Sequence, residues 1–173
     1  VAGAVAMGHP STRLGDVARA LGAIEGEGGR LRALTRPDGC VILDDSYNAN
    51  RASVVASLRT ASELARAEGR RLVAVLGEMR ELGALSADEH RIVGEEAARW
   101  ASVVVAVQGD AAEIARAAAG AGGPEVLFVA DAARAIDEVS ARLRPGDLVL
   151  VKGSRGVLLD TVVNALMPPE PSR

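Results

Sequence analysis

Cysteine occurs once in the 173 residues, at Cys40 inside an apolar run, so no disulfide framework and no cysteine-based metal site is available. Aromatic side chains are almost missing, with only Tyr47, Trp100 and Phe128. A core must therefore be assembled from Val, Leu, Ile and Ala, which suits a parallel sheet covered by Ala-rich helices. Lysine is also used once, at Lys152, and every other cation is arginine. No single sign of charge dominates, because the net charge of −3 arises from interspersed acids and bases; a nucleic-acid surface is not expected. No run is long and apolar enough to suggest membrane insertion. The opening residues, Val1 to Gly8, are too short and lack the basic flank of a signal peptide. They read as the interior of a longer chain, and the expectation is a cytoplasmic fragment.

What is present is an alternation of two periods from residue 31 onward. Short apolar runs read as strands at Leu31–Leu34, Cys40–Leu43, Leu72–Leu76, Val103–Val107, Val126–Val129 and Leu148–Val151. Between them lie stripes with helical spacing. These are Val54, Leu58, Ala61 and Ala65; Ile92, Val93, Ala97 and Trp100; Ile114, Ala115 and Ala118; Ile136, Val139 and Leu143; and Leu158, Thr161, Val162 and Ala165. Gly69, the segment Gly120 to Pro124, and Arg144-Pro145-Gly146-Asp147 supply the stops. Strands alternating with helices predict an α/β fold with a doubly wound, mostly parallel sheet of about six strands. Arg36-Pro37-Asp38-Gly39 is turn chemistry, so the first two strands should form a hairpin and leave one antiparallel edge strand.

Residues 1–29 read differently, as a helix end, a break at His9-Pro10-Ser11-Thr12, a second amphipathic helix through Leu14, Val17, Ala18 and Leu21, and a glycine-rich linker. A domain from 30 to 167 and a flexible tail at 168–173 complete the expected organisation.

Ligands of open parallel sheets sit beyond the carboxyl ends of the strands. Those ends carry Asp44-Asp45-Ser46-Tyr47-Asn48-Ala49-Asn50, Gly77-Glu78-Met79, Gln108-Gly109-Asp110 and Lys152-Gly153-Ser154-Arg155. The carboxylates suit ribose hydroxyls, Tyr47 offers a flat face for a base, and the Asn side chains both donate and accept. Equally, Asn48 or Asn50 suits an N-cap for a helix starting near Arg51, with Asp45 supporting the turn. Lys152 and Arg155 at a helix start call for an anion, such as a phosphate or a substrate carboxylate, unless Ser154 is simply a cap and the cations are solvated. Glu78 suits a ligand ammonium, but equally reads as an ordinary loop carboxylate, which is common after strands. His9 and His90 are too few for a metal site, and His90 reads as packing or helix surface. No phosphate loop, dinucleotide fingerprint or nucleophile elbow occurs, so a ligand rim is expected without catalytic residues of its own.

The string Asp44–Asn50, then Leu76-Gly77-Glu78-Met79-Arg80-Glu81-Leu82-Gly83 with Ser86 and His90, then Val151–Arg155, resembles the C-terminal domain of the UDP-N-acetylmuramoyl-tripeptide–D-alanyl-D-alanine ligase (MurF) family. The resemblance runs from about Arg30 to Leu166, and residues 1–29 resemble the tail of that family's central ATPase domain. It implies a Rossmann-like α/β domain of an ATP-dependent peptide ligase in peptidoglycan synthesis, inactive alone. The whole enzyme would activate the tripeptide carboxylate as an acyl phosphate, which the amine of D-alanyl-D-alanine attacks. The implied partners are UDP-N-acetylmuramoyl-tripeptide, D-alanyl-D-alanine, ATP and the chain's own N-terminal and central domains; Mg2+ ligands belong to the central domain. By position, Arg30 matches the linker arginine near the phosphates, Asp45 the ribose ligand, and Tyr47, Asn48 and Asn50 the nucleotide side. Lys152, Ser154 and Arg155 match residues facing the dipeptide or the tripeptide carboxylate. Arg51 departs from the family, which usually has proline there. The alternatives are another Mur or folylpolyglutamate-type ligase, against which Tyr47-Asn48-Ala49-Asn50 argues, and a stand-alone flavodoxin-like nucleotide-binding module.

Overall fold

The structure, a computed structural model, describes Gly29 and residues 31–167. The expected helices of residues 1–28, the role of Arg30 and the tail at 168–173 lie outside the described residues.

Six strands form one sheet. They are β1 (Arg32–Thr35), β2 (Val41–Asp45), β3 (Leu72–Gly77), β4 (Val103–Val107), β5 (Glu125–Val129) and β6 (Leu148–Lys152). Each lies within two residues of its apolar run. The order across the sheet is β1-β2-β6-β3-β4-β5, antiparallel between β1 and β2 and parallel elsewhere. The antiparallel edge follows from the turn: Gly39 N–H donates to the Arg36 carbonyl (3.0 Å), and Arg36 N–H to that of Cys40 (2.9 Å).

Among the described residues five helices cover the two faces: α1 (Arg51–Glu68), α2 (Ser86–Trp100), α3 (Ala111–Ala121), α4 (Ala132–Arg142) and α5 (Asp160–Leu166). Leu43, Ala74, Leu76, Ala106 and Leu150 point to one face, against Val54 and Leu58 of α1, Val93 of α2 and Ile114 of α3. Ile42, Val75, Val105 and Val151 point to the other, against Val139 of α4 and Val162 and Leu166 of α5. Handedness explains the split. Connections advancing from β2 through β3 and β4 to β5 place α1, α2 and α3 on one side; the return from β5 to β6 reverses direction and puts α4 on the other. The chain leaves the slot between β2 and β3 open until β6 fills it last.

Local chemistry sets the helix ends. Asn50 caps α1, accepting from Ser53 N–H while the Ser53 hydroxyl accepts from Asn50 N–H, and Gly69 ends α1 in the left-handed region. Asp131 caps α4 through Arg134 N–H at 2.8 Å. Arg51 occupies a first helical turn, where the macrodipole disfavours a cation, but its guanidinium pairs with Glu89 of α2 at 2.9 Å.

One sequence expectation needs correction. The last stripe was misplaced: Leu158 is 58% exposed, and Thr161 and Ala165 are exposed as well. Leu158 adopts φ 60, so the helix begins only at Asp160, and the buried set is Val157, Leu159, Val162, Val163 and Leu166. β5 lies where its apolar run predicts a strand. It is an edge, and Phe128 is 47% exposed.

Candidate functional site

The carboxyl ends of β2, β6, β3 and β4 stand side by side, and backbone hydrogen bonds stitch the end of β3 to those of β4 and β6, and β4 to β5. Glu78 N–H donates to the Val107 carbonyl (3.1 Å), Ser154 N–H to the Glu78 carbonyl (3.1 Å) and Gln108 N–H to the Val129 carbonyl (2.9 Å). Gly77 and Gly153 meet backbone to backbone: a Cβ on Gly77 would lie 3.2 Å from the Gly153 Cα. That close approach is what the two glycines permit.

Strand alternation sends Asp44 and Asp45 to opposite sides. Asp44 is buried; its Oδ1 accepts from the Ser46 N–H (3.2 Å) and hydroxyl (2.7 Å), and its Oδ2 lies 3.3 Å from the Arg32 guanidinium. It holds the turn. The Asp45 side chain is 16% exposed. Its Oδ2 accepts from Lys152 Nζ at 2.7 Å and lies 2.7 Å from the Ser57 hydroxyl, while Oδ1 has no hydrogen bond among the described residues.

Asp45, Tyr47, Asn48, Asn50, Ser53 and Lys152 line one recess of about 270 Å3. All the nucleotide-side residues expected from the sequence, Arg30 aside, are thus brought together. Asn50 reaches it as the α1 cap, and the Asn48 Oδ1 accepts from Ala49 N–H at 2.8 Å. Tyr47 is 40% exposed and borders two further recesses of about 440 and 380 Å3. The Arg155 guanidinium lies 5.7 Å from the Tyr47 ring centroid, within cation–π range.

The three residues expected to face substrate are divided. Arg155 is exposed, on the rim of the 380 Å3 recess with Arg80 and Glu81. Ser154 is buried; its hydroxyl accepts from Arg80 N–H at 2.9 Å and caps no helix. The Lys152 side chain is 3% exposed, and its ammonium donates to Asp45 and to the Asn48 carbonyl at 2.9 Å. Glu78 is likewise engaged, accepting from Asp110 N–H (3.1 Å) and pairing with Arg80 (3.3 Å). Ser53, Ser57 and Arg80 were not singled out from the sequence. The two serines had a signal: three and seven residues past Asn50, they share a face of α1.

No cluster of three or more His, Cys, Asp or Glu among the described residues is placed to hold a metal. None of their helices is long and apolar enough to cross a membrane.

This rim coincides with a known family pattern: residues 29–155 match that of the Mur ligase, glutamate ligase domain. The chain belongs to the Mur ligase family. Among curated relatives of this Mur ligase domain, the UDP-N-acetylmuramoyl-tripeptide–D-alanyl-D-alanine ligase of Mycobacterium leprae is 37% identical over 153 residues, covering 80% of this chain and 30% of its own. The crystal structure of MurF ligase from Thermotoga maritima in complex with ADP aligns with a TM-score of 0.66 at 25% identity, over 87% of this chain and 35% of that one. A MurF structure from Acinetobacter baumannii aligns with a TM-score of 0.69 at 28% identity, over 95% of this chain and 35% of that one. The Mur ligase domain thus spans about a third of the length of these relatives.

Proposed function

We propose that this domain is the nucleotide-closing part of an ATP-dependent ligase that joins D-alanyl-D-alanine to UDP-N-acetylmuramoyl-tripeptide through an acyl phosphate, and that it is inactive alone. The observation carrying this reading is the recess that gathers Asp45, Tyr47, Asn48 and Asn50, with an Asp45 oxygen that takes no hydrogen bond among the described residues. A carboxylate accepts from hydroxyls such as those of a ribose, and a half-exposed tyrosine ring offers a stacking face. The ADP complex of the Thermotoga relative supports a nucleotide ligand. Ser154 and Arg155, beside the neighbouring recess, are assigned to the substrate side, with Arg155 as the carboxylate-facing group.

Magnesium is assigned to the central domain together with the phosphate loop. The contribution of this domain is to close over the nucleotide and exclude water from a hydrolysable intermediate. The whole enzyme is placed in the cytoplasm, where its nucleotide substrates are. The test is Asp45→Ala in the whole ligase: ATP-dependent joining of D-alanyl-D-alanine should fall by about tenfold or more, and turnover with an unchanged nucleotide requirement would remove Asp45 from the site.

A further inference from the structure

Lys152 is the sole lysine, and the described structure does not present it to solvent. Asp45 and Lys152 are register partners on the adjacent parallel strands β2 and β6, so the sheet itself sets their side chains next to one another. The ammonium takes Asp45 Oδ2 at 2.7 Å and the Asn48 carbonyl at 2.9 Å. Ser57, buried on α1, meets the same Oδ2 at 2.7 Å. The single Ser57 hydroxyl proton also has the Ser53 carbonyl at 2.9 Å, but the nearer, charged carboxylate takes it, so two donors from two elements converge on one carboxylate oxygen. The other oxygen takes no hydrogen bond among the described residues, and Asp45 lines the recess shared with Tyr47, Asn48 and Asn50.

We propose that Lys152 and Ser57 are positioning residues for Asp45: they anchor Oδ2 and so present Oδ1 to the hydroxyl donors of a nucleotide sugar. The proposal rests on reading this recess as the nucleotide side, and it moves Lys152 from the dipeptide to the nucleotide. A carboxylate free to rotate would lose part of its hydrogen-bonding advantage to ordering, whereas an anchored one is pre-organised. The Asn48 contact has a second effect, because it ties the segment that carries Tyr47 to the end of β6.

The experiment uses the whole ligase that contains this domain, with variants Lys152→Met, Ser57→Ala and Asp45→Ala. KM is measured separately for ATP and for D-alanyl-D-alanine, and kcat/KM for ATP is compared with that for 2′-deoxy- and 3′-deoxy-ATP. Lys152→Met should raise the ATP KM by about tenfold or more, the factor expected for a charged hydrogen bond. It should also flatten the preference for ATP over the deoxy analogue that wild type disfavours, and leave the dipeptide KM within about twofold. Ser57→Ala should act in the same direction by about threefold, since it removes a neutral donor. A merely structural defect would lower activity without erasing ribose discrimination.

A rise in dipeptide KM with an unchanged ATP KM in Lys152→Met overturns the proposal. So does a Ser57→Ala enzyme that keeps the discrimination Asp45→Ala loses, a result that decides the matter even where Lys152→Met does not fold. A wild type indifferent to both deoxy analogues overturns it as well. If wild type does not join D-alanyl-D-alanine at all, the functional reading fails; displacement of a fluorescent ATP analogue by ATP and the deoxy analogues then tests the positioning in the same variants.

Discussion

The Nε2 atom of His90 accepts the backbone N–H of Met79 at 2.8 Å, while its Nδ1 lies 2.7 Å from the Ser86 carbonyl oxygen. A carbonyl cannot donate, so Nδ1 carries the proton and Nε2 the lone pair. The ring is fully buried in α2 and holds the loop after β3 from beneath. Through Glu78, next to Met79, that loop receives Ser154 N–H and supports the rim. His90 is thus a structural residue behind the site.

Replacing His90 with Ala should cost about 2–4 kcal/mol, the sum of a cavity and an orphaned buried N–H. Urea denaturation of the 173-residue chain measures it, with the slope unchanged. A loss below about 0.5 kcal/mol, the scale of ordinary surface substitutions, would show that the Met79 contact does not hold the loop.

Gly94→Ala sets helix propensity against packing. Alanine is favoured within a helix by about 0.5–1 kcal/mol. At Gly94, however, a Cβ would run into the Ile114 backbone carbonyl and lie 2.8 Å from the Ala117 Cβ, where α2 and α3 cross. Backbone cannot yield as a flexible side chain does, so overpacking by about 1–3 kcal/mol should win. Thermal melting should show a lower Tm; a higher one would mean that the two helices slide apart freely.

The hairpin turn should show a pH signature. The Arg36 guanidinium and, after it, the Cys40 backbone N–H hold the Asp38 carboxyl below its ordinary value of 3.8. Stability from this group is present above the unfolded value and lost as pH falls through the lower folded one. Asp38→Asn should therefore be less stable than wild type at neutral pH, and the gap should close in the acid range below 3.8. A gap independent of pH, followed by chemical denaturation, would assign the effect to turn geometry instead of charge.

Burial pushes the Cys40 thiol above its ordinary value of 9.0, and its S–H donates to the Arg144 carbonyl at 3.1 Å. The native chain should react with a thiol reagent at pH 8 far more slowly than the urea-unfolded chain. Above pH 9.0 the unfolded thiol ionises first, so this residue's contribution to stability falls as pH rises further. Equal rates in native and unfolded chains would place Cys40 outside the core.

Most elements were legible because their causes are local. Buried parallel strands read as unbroken apolar runs, and Leu72–Gly77 and Val103–Val107 are buried throughout, as the runs at those positions implied. The Asp44–Asn50 string pointed to the rim because strand ends are where open sheets bind ligands. Leu158 escaped because a left-handed residue breaks the period without a glycine to announce it. Packing was one of the two readings of His90, but nothing along the chain shows that its ring faces the backbone of Met79.

By itself the sequence determined the alternation of strands and helices, the hairpin and the residues offered at the strand ends. Only the tertiary structure decided that β6 enters between β2 and β3, bringing Lys152 against Asp45 across 107 residues. Hydrophobic period and turn chemistry act over a few residues, whereas lateral strand order depends on crossover handedness and on which slot remains open when the last strand pairs. That order turned a lysine that looked poised for an anion into the buried partner of the carboxylate beside it.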